Sequence, residues 1–154
     1  MQKSCFLFGH ADTPQSVLPI LEQAIEDEVV KGISVFYVGY HGNFDRMAAS
    51  ALRTVKHRHA EILIILVLAY HPAERAVEIP LGFDGTYYPP LEGIPRRYAI
   101  IRANQHMVKT ADSVICYVAH HGNSQTLLDL ARRRSLHIIN MADYLRFSRI
   151  DSSC

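Results

Sequence analysis

The chain has 154 residues and a mass of 17.4 kDa, enough for one domain but not for two with cores of their own. Its 49 % hydrophobic and 20 % charged residues match ordinary globular usage and exclude a disordered or low-complexity chain, and burying roughly 68–70 % of the unfolded surface removes any need for disulfides or a structural metal. Sixteen Lys and Arg against fifteen Asp and Glu leave a formal charge of +1, which gives no electrostatic case for a dedicated nucleic-acid binder.

The first residues run Met1-Gln2-Lys3 straight into the apolar run Ser4–Phe8, too short for a signal-peptide core. That run, ending at Gly9, reads as the first strand. Thr13 as cap and Pro14 in the first turn start a helix whose apolar positions Val17, Leu18, Leu21, Ala24, Ile25 and Val29 recur at helical spacing until Gly32 stops it. Ile33–Val38 is a second strand, again closed by a glycine, Gly39. A second helix over about Phe44–His59 buries Met47, Ala51, Leu52 and Val55. Glu61–Tyr70 is the most apolar strand and shows no alternation, as expected of a strand buried on both faces. Its apolar core Ile62–Tyr70 is the longest such run and falls far short of the ~20 residues of a bilayer span.

Residues 71–95 hold five prolines and three glycines with no period. Arg96–Thr110 is a third helix, Ser113–Val118 a fourth strand, Gln125–Arg134 a fourth helix, and Leu136–Asn140 a fifth strand before a tail over 142–154. Strands alternating with helices predict an α/β fold: a Rossmann-like three-layer sandwich with a parallel sheet in order 3-2-1-4-5 and its switch point between strands 1 and 4. Cys5, Cys116 and Cys154 form an odd, scattered set that reads as reduced thiols. The expectation is a cytoplasmic protein with no membrane partner and no cofactor.

The glycines point to the site. Gly9, Gly39 with Gly42, and Gly122 each follow a strand's carboxyl end and precede a helix, on the rim where ligands bind in open α/β sheets. Glycine there lets the backbone approach a ligand, and the next helix offers unpaired N–H groups to an anion. Neither G-x-G-x-x-G nor G-x-x-x-x-G-K-[ST] occurs, which argues against a nicotinamide dehydrogenase or a P-loop NTPase.

The order of motifs is more specific than any one of them. Phe8-Gly9-His10, Gly42-x-Phe44-Asp45, Arg97, Asn104-x-x-Met107-Val108-x-x-x-Asp112, Gly122-x-Ser124 and Ile138-Ile139-Asn140 together resemble the YpsA-like branch of the SLOG superfamily, which joins the Smf/DprA proteins with the LOG phosphoribohydrolases. The resemblance runs to about residue 141 and implies a Rossmann-like fold, a nucleotide or nucleotide-derived ligand and a possible homodimer. Position by position it places that ligand against Gly9, His10, Gly39, Gly42, Phe44, Asp45, Gly122 and Ser124; Asn123, between the last two, is a further candidate contact. The hydrolase branch carries P-G-G-x-G-T-x-x-E, whose glutamate works on the glycosidic bond. Here the turn reads His121-Gly122-Asn123-Ser124-Gln125-Thr126-Leu127-Leu128, and the first acid is Asp129. A sensor or effector module is therefore expected, with no catalytic residue assigned. The alternatives are an N-glycosidic hydrolase or transferase using Asp12 or Asp45, and a protein-interaction module with a vestigial pocket.

Single residues carry two readings each. His10 donates to a phosphate or caps its turn; Asp45 accepts from a ribose hydroxyl or complements the helix dipole. Arg97 clamps a phosphate or is a solvated helix-start charge. Asn104 and Met107 are ligand contacts or core. His57 with His59, and adjacent His120 and His121, lack zinc-like spacing, so no metal is expected. Residues 71–95 are long enough for a lid or binding loop, whose Tyr87-Tyr88-Pro89-Pro90 core stacks on a base, packs on a partner subunit or buries itself for stability.

Overall fold

A computed structural model describes residues 2–145. Its strands are β1 (Lys3–Gly9), β2 (Ile33–Val38), β3 (Leu63–Val67), β4 (Gly85–Tyr87), β5 (Ser113–Tyr117) and β6 (His137–Asn140). Its longer helices are α1 (Leu18–Val30), α2 (Asn43–Arg58), α3 (Ala99–Thr110) and α4 (Asn123–Arg133). All pairings are parallel, in the order β4-β3-β2-β1-β5-β6. The chain is thus an α/β protein with a Rossmann-like three-layer arrangement. Five strands keep their expected relative places, but the sheet has six, because Gly85–Tyr87 adds itself to the edge beside β3.

That sixth strand corrects the reading of 71–95 as a structureless loop or lid. The segment Gly-Thr-Tyr is too short to alternate and stands among prolines and glycines, so it has no signature of its own. It pairs because β3 has an open edge, which a sheet must cover or blunt. Ile65 faces Gly85 and Val67 faces Tyr87, with Leu68 N–H donating to Tyr87 O at 2.8 Å. Asp84 secures the entry: its carboxylate accepts the Ile64 N–H at 2.8 Å and the Lys56 ammonium at 2.7 Å.

Alternation along β1 splits the core between the two faces of the sheet. Cys5 and Leu7 point to one face, where Leu21 and Ile25 of α1 and Phe44, Met47 and Leu52 of α2 cover them. Phe6 and Phe8 point to the other, against Met107 and Val108 of α3 and Leu127 and Leu128 of α4. Cys5 and Cys116 are free and fully buried, and desolvation pushes the Cys5 thiol up to about 12. Both are packing groups.

Several boundaries differ from those expected: β3 is confined to Leu63–Val67 within Glu61–Tyr70, and α4 begins at Asn123, two residues before Gln125. Thr13 does not cap a helix: its hydroxyl donates to His10 O at 2.6 Å, Pro14 precedes a 3-10 turn over Gln15–Val17, and α1 begins only at Leu18. The third helix likewise opens with a 3-10 turn, Arg96–Tyr98. Residues 141–145 are helical with Met141 and Ala142 buried, so the expected tail begins as packed structure; its remainder, 146–154 with Cys154, lies outside the described residues. No helix among the described residues is long and apolar enough to cross a membrane.

Candidate functional site

The chain leaves the carboxyl ends of β1 and β5 toward opposite faces, and a cleft of about 230 Å³ opens between them. One wall is Gly9, Ala11, Gly39, His41, Gly42 and Asp45, from the β1 and β2 turns and the first turn of α2. The other wall is Asn123, Ser124, Thr126 and Leu127 at the start of α4, with Ile100, Ile101, Asn104 and Gln105 of α3. The apolar floor is the β1 run Phe6–Phe8. No Lys or Arg among the described residues lines it. Two helix N-termini, those of α2 and α4, are its electropositive features, through N–H groups that the helices leave unpaired.

The first wall is two loops stitched together. Asn43 N–H donates to Ala11 O at 3.1 Å, and its side-chain amide donates to Thr13 O. A Cβ on Gly42 would stand 2.9 Å from Ala11 Cα, so glycine is required by this backbone crossing. A Cβ on Gly9 would stand 2.6 Å from the Phe44 ring. Gly122 differs again. It has open space around it but φ of 147°, a conformation that L side chains rarely adopt, and from it α4 starts at Asn123.

Asp45 is the carboxylate of the cleft. Its Oδ2 accepts the His41 N–H at 2.8 Å, which joins the first turn of α2 to the loop before it. Its Oδ1 has no hydrogen-bond partner among the described residues. Desolvation pushes its carboxyl up to about 6, against the pull of the His41 N–H. Desolvation and the charge of Arg75 together lower the proton affinity of His41.

Of the ten expected site residues, Gly9, Gly39, Gly42, Asp45, Asn123 and Ser124 come together on the cleft. Four do not line it. Phe44 is wholly buried beneath Gly9. Arg97 is exposed, with its guanidinium 4.9 Å over the neighbouring Tyr98 ring. His10 and Gly122 border a second, more open hollow with Asp12, His120 and His121, and Ala11, Asn123 and Ser124 are shared by both. The tyrosines placed over a base are occupied elsewhere. Tyr87 Oη lies 2.9 Å from His106 Nε2, and Tyr88 packs edge-on against His71. Neither lines the cleft, so the segment is no lid over it.

Helix α3 contributes polar groups to which the glycine pattern does not point. Asn104 and Gln105, both half-buried, line the cleft, while Met107 is buried core, so the two readings of this helix divide between its residues. Their signal in the sequence is a polar pair one helical turn after Ile100 and Ile101. Asn140 clamps the end of β5, because its amide accepts the Val118 N–H and donates to the Val118 carbonyl, both at 3.0 Å.

His10, Asp12 and His120 bring potential ligand atoms within 4.8 Å of one another. They do not form a metal centre while His10 Nε2 accepts the N–H groups of Ala119 and His120, because its lone pair is then taken and Nδ1 carries the proton. The parallel stacking of the His10 and His120 rings, 3.7 Å apart, also aims their in-plane lone pairs side by side instead of at one point.

Compared with known proteins, the chain matches no protein-family model and no curated sequence.

Proposed function

We propose that the switch-point cleft binds a nucleotide or nucleotide-derived ligand, and that the protein works as a sensor or effector module. The observation that carries this reading is the convergence of the α2 and α4 N-termini on one cleft at the carboxyl edge of a parallel sheet. An anionic group sits at the start of α4, against Asn123 and Ser124. Asp45 Oδ1, the oxygen that does not hold His41, accepts from a sugar hydroxyl. The amides of Asn104 and Gln105 offer donors and acceptors to a base edge over the apolar floor. With no Lys or Arg among the described lining residues, charge recognition rests on helix ends, so mononucleotide-like ligands suit the cleft better than polyphosphates. The motif order that resembles the YpsA-like SLOG branch supports the same ligand class.

The experiment works with the ligand still unidentified. Protein as purified is heat-denatured and the supernatant is analysed by mass spectrometry, beside a thermal-shift screen of nucleotides. A ligand at a hundredfold its Kd adds ~2.7 kcal/mol of stability, several degrees for a domain of this size. A clean supernatant and a flat screen defeat the proposal. The hydrolase reading keeps one supporting observation, the Asp45 carboxyl raised to about 6 inside the cleft. Released base on incubation with nucleoside monophosphates would favour it. Asp129 lies half-exposed outside the cleft and is held by Gln125, so it does not replace the missing glutamate. The homodimer implied by the resemblance is tested by sedimentation.

A further inference from the structure

At the end of β1, His10 is only 6 % exposed and is bonded through backbone and ring alike. Its N–H donates to Tyr117 O at 3.2 Å, and its carbonyl accepts the Thr13 hydroxyl at 2.6 Å. Its Nε2 receives two successive backbone N–H groups, from Ala119 at 3.0 Å and His120 at 3.2 Å. These amides follow the last residue of β5, where the ladder no longer serves them. A ring nitrogen that accepts carries no proton, so His10 is the neutral Nδ1–H tautomer.

We propose that His10 is the positioning residue of the α4 rim: its unprotonated Nε2 clasps the turn over residues 119–122, and protonation of the ring lets go of the turn that presents Asn123 and Ser124 to the cleft. The inference rests on the nucleotide-binding reading for its functional consequence and on the fold alone for the clasp. A protonated Nε2 becomes a donor and faces two donors, so both bonds are lost together.

The surroundings set the direction of the response. Tyr117 of β5 meets the ring edge-on at 6.0 Å, His120 of the following turn stacks on it at 3.7 Å and 8°, and Asp12 of the β1 turn faces the pair. Burial first, then the charge of His120, lowers the affinity of His10 for a proton, against the opposing pull of Asp12. His120 is shifted the other way, by the His121 carbonyl and by Asp12 3.4 Å away. Acid therefore charges His120 first. A proton on His10 then places two cations face to face, and the turn opens.

The test is nuclear magnetic resonance on the full, isotope-labelled chain without ligand, for wild type, His10→Gln and His10→Ala. Glutamine Oε1 is as many bonds from the backbone as histidine Nε2 and accepts both amides at any pH. In wild type the Nε2 of His10 reads as unprotonated at neutral pH. Protection of the Ala119 and His120 amides against exchange falls by about tenfold on going to mild acid, the effect of one lost hydrogen bond. In H10Q that protection stays level across the same range, and in H10A it is low throughout. A wild-type His10 protonated on Nε2 at neutral pH overturns the proposal, and so does the same acid response in wild type and H10Q. If these protection patterns hold while no nucleotide binds, the clasp stands and the ligand reading fails.

Discussion

Gly9 and Phe44 both carry the resemblance to a ligand-binding family, yet the structure turns them toward each other, and one substitution tests that. In Gly9→Ala the new methyl would lie 2.6 Å from Cδ2 and Cγ of Phe44 and 3.1 Å from its Cβ. Phe44 is wholly buried among α1, α2 and the sheet, so its ring has nowhere to swing. Overpacking of this kind costs roughly 1–3 kcal/mol. Phe44→Ala in the wild-type background costs about 3–5 kcal/mol for lost packing, and in the Gly9→Ala background it also removes Cγ and Cδ2, the two atoms at 2.6 Å, leaving only Cβ at 3.1 Å. The double variant is therefore more stable than the sum of the singles predicts, with a coupling of about 1 kcal/mol. Urea unfolding measures all four proteins, read as midpoints at an unchanged slope. Gly9→Ala within about 0.5 kcal/mol of wild type, or a strictly additive cycle, refutes the packing explanation of this glycine.

Three other expectations follow from the same geometry. Asp84 is desolvated, but the Lys56 ammonium and the Ile64 N–H outweigh that and hold its carboxyl below its ordinary value; its stabilisation is full above about pH 4 and fades as acid protonates it, so Asp84→Ala costs about 1–3 kcal/mol near neutrality and less in acid, by urea midpoint against pH. Asp45 is the reverse case, raised to about 6, so its own contribution to stability climbs as pH falls from above 6 toward 4, opposite in sign to those of His10 and His41. Asp45→Asn removes that climb and stabilises the protein near pH 7 by about 1 kcal/mol, while weakening any nucleotide bound in the cleft; a variant that is less stable at pH 7 contradicts this reading. Gly122→Ala meets no neighbouring atom, so its whole penalty is backbone strain at φ of 147°, roughly 1–3 kcal/mol, and circular dichroism melts with no loss would show that the turn tolerates a side chain.

What the sequence made legible was whatever is encoded locally. Ile33–Val38 and Ser113–Tyr117 are β-branched and apolar runs between glycines and helices, and α2 repeats Met47, Ala51 and Val55 at helical spacing. From these the parallel sheet and its carboxyl rim follow. Strand β4 was illegible because three residues carry no period, and its pairing is decided by the open edge of β3 and by Asp84 and Lys56, 28 positions apart. The rim glycines were visible as positions, but their reasons were not. Gly42 answers to Ala11, Gly9 to Phe44 and Gly122 to its own φ, and the first two causes lie about thirty residues away along the chain. For the same reason His10 reads in sequence as a ligand donor or a local cap, whereas its partners are the amides of Ala119 and His120 across the sheet.

The most direct test of the nucleotide site is a titration of the labelled protein with a panel of nucleoside monophosphates, followed by amide chemical shifts. Binding at the switch point predicts saturable shifts centred on Gly39, Gly42, Asp45, Asn123 and Ser124, with Arg97 and Tyr88 unmoved. Saturable shifts centred instead on the hollow between Tyr70, Tyr88 and Arg96, or no shift with any nucleotide at millimolar concentration, would contradict it.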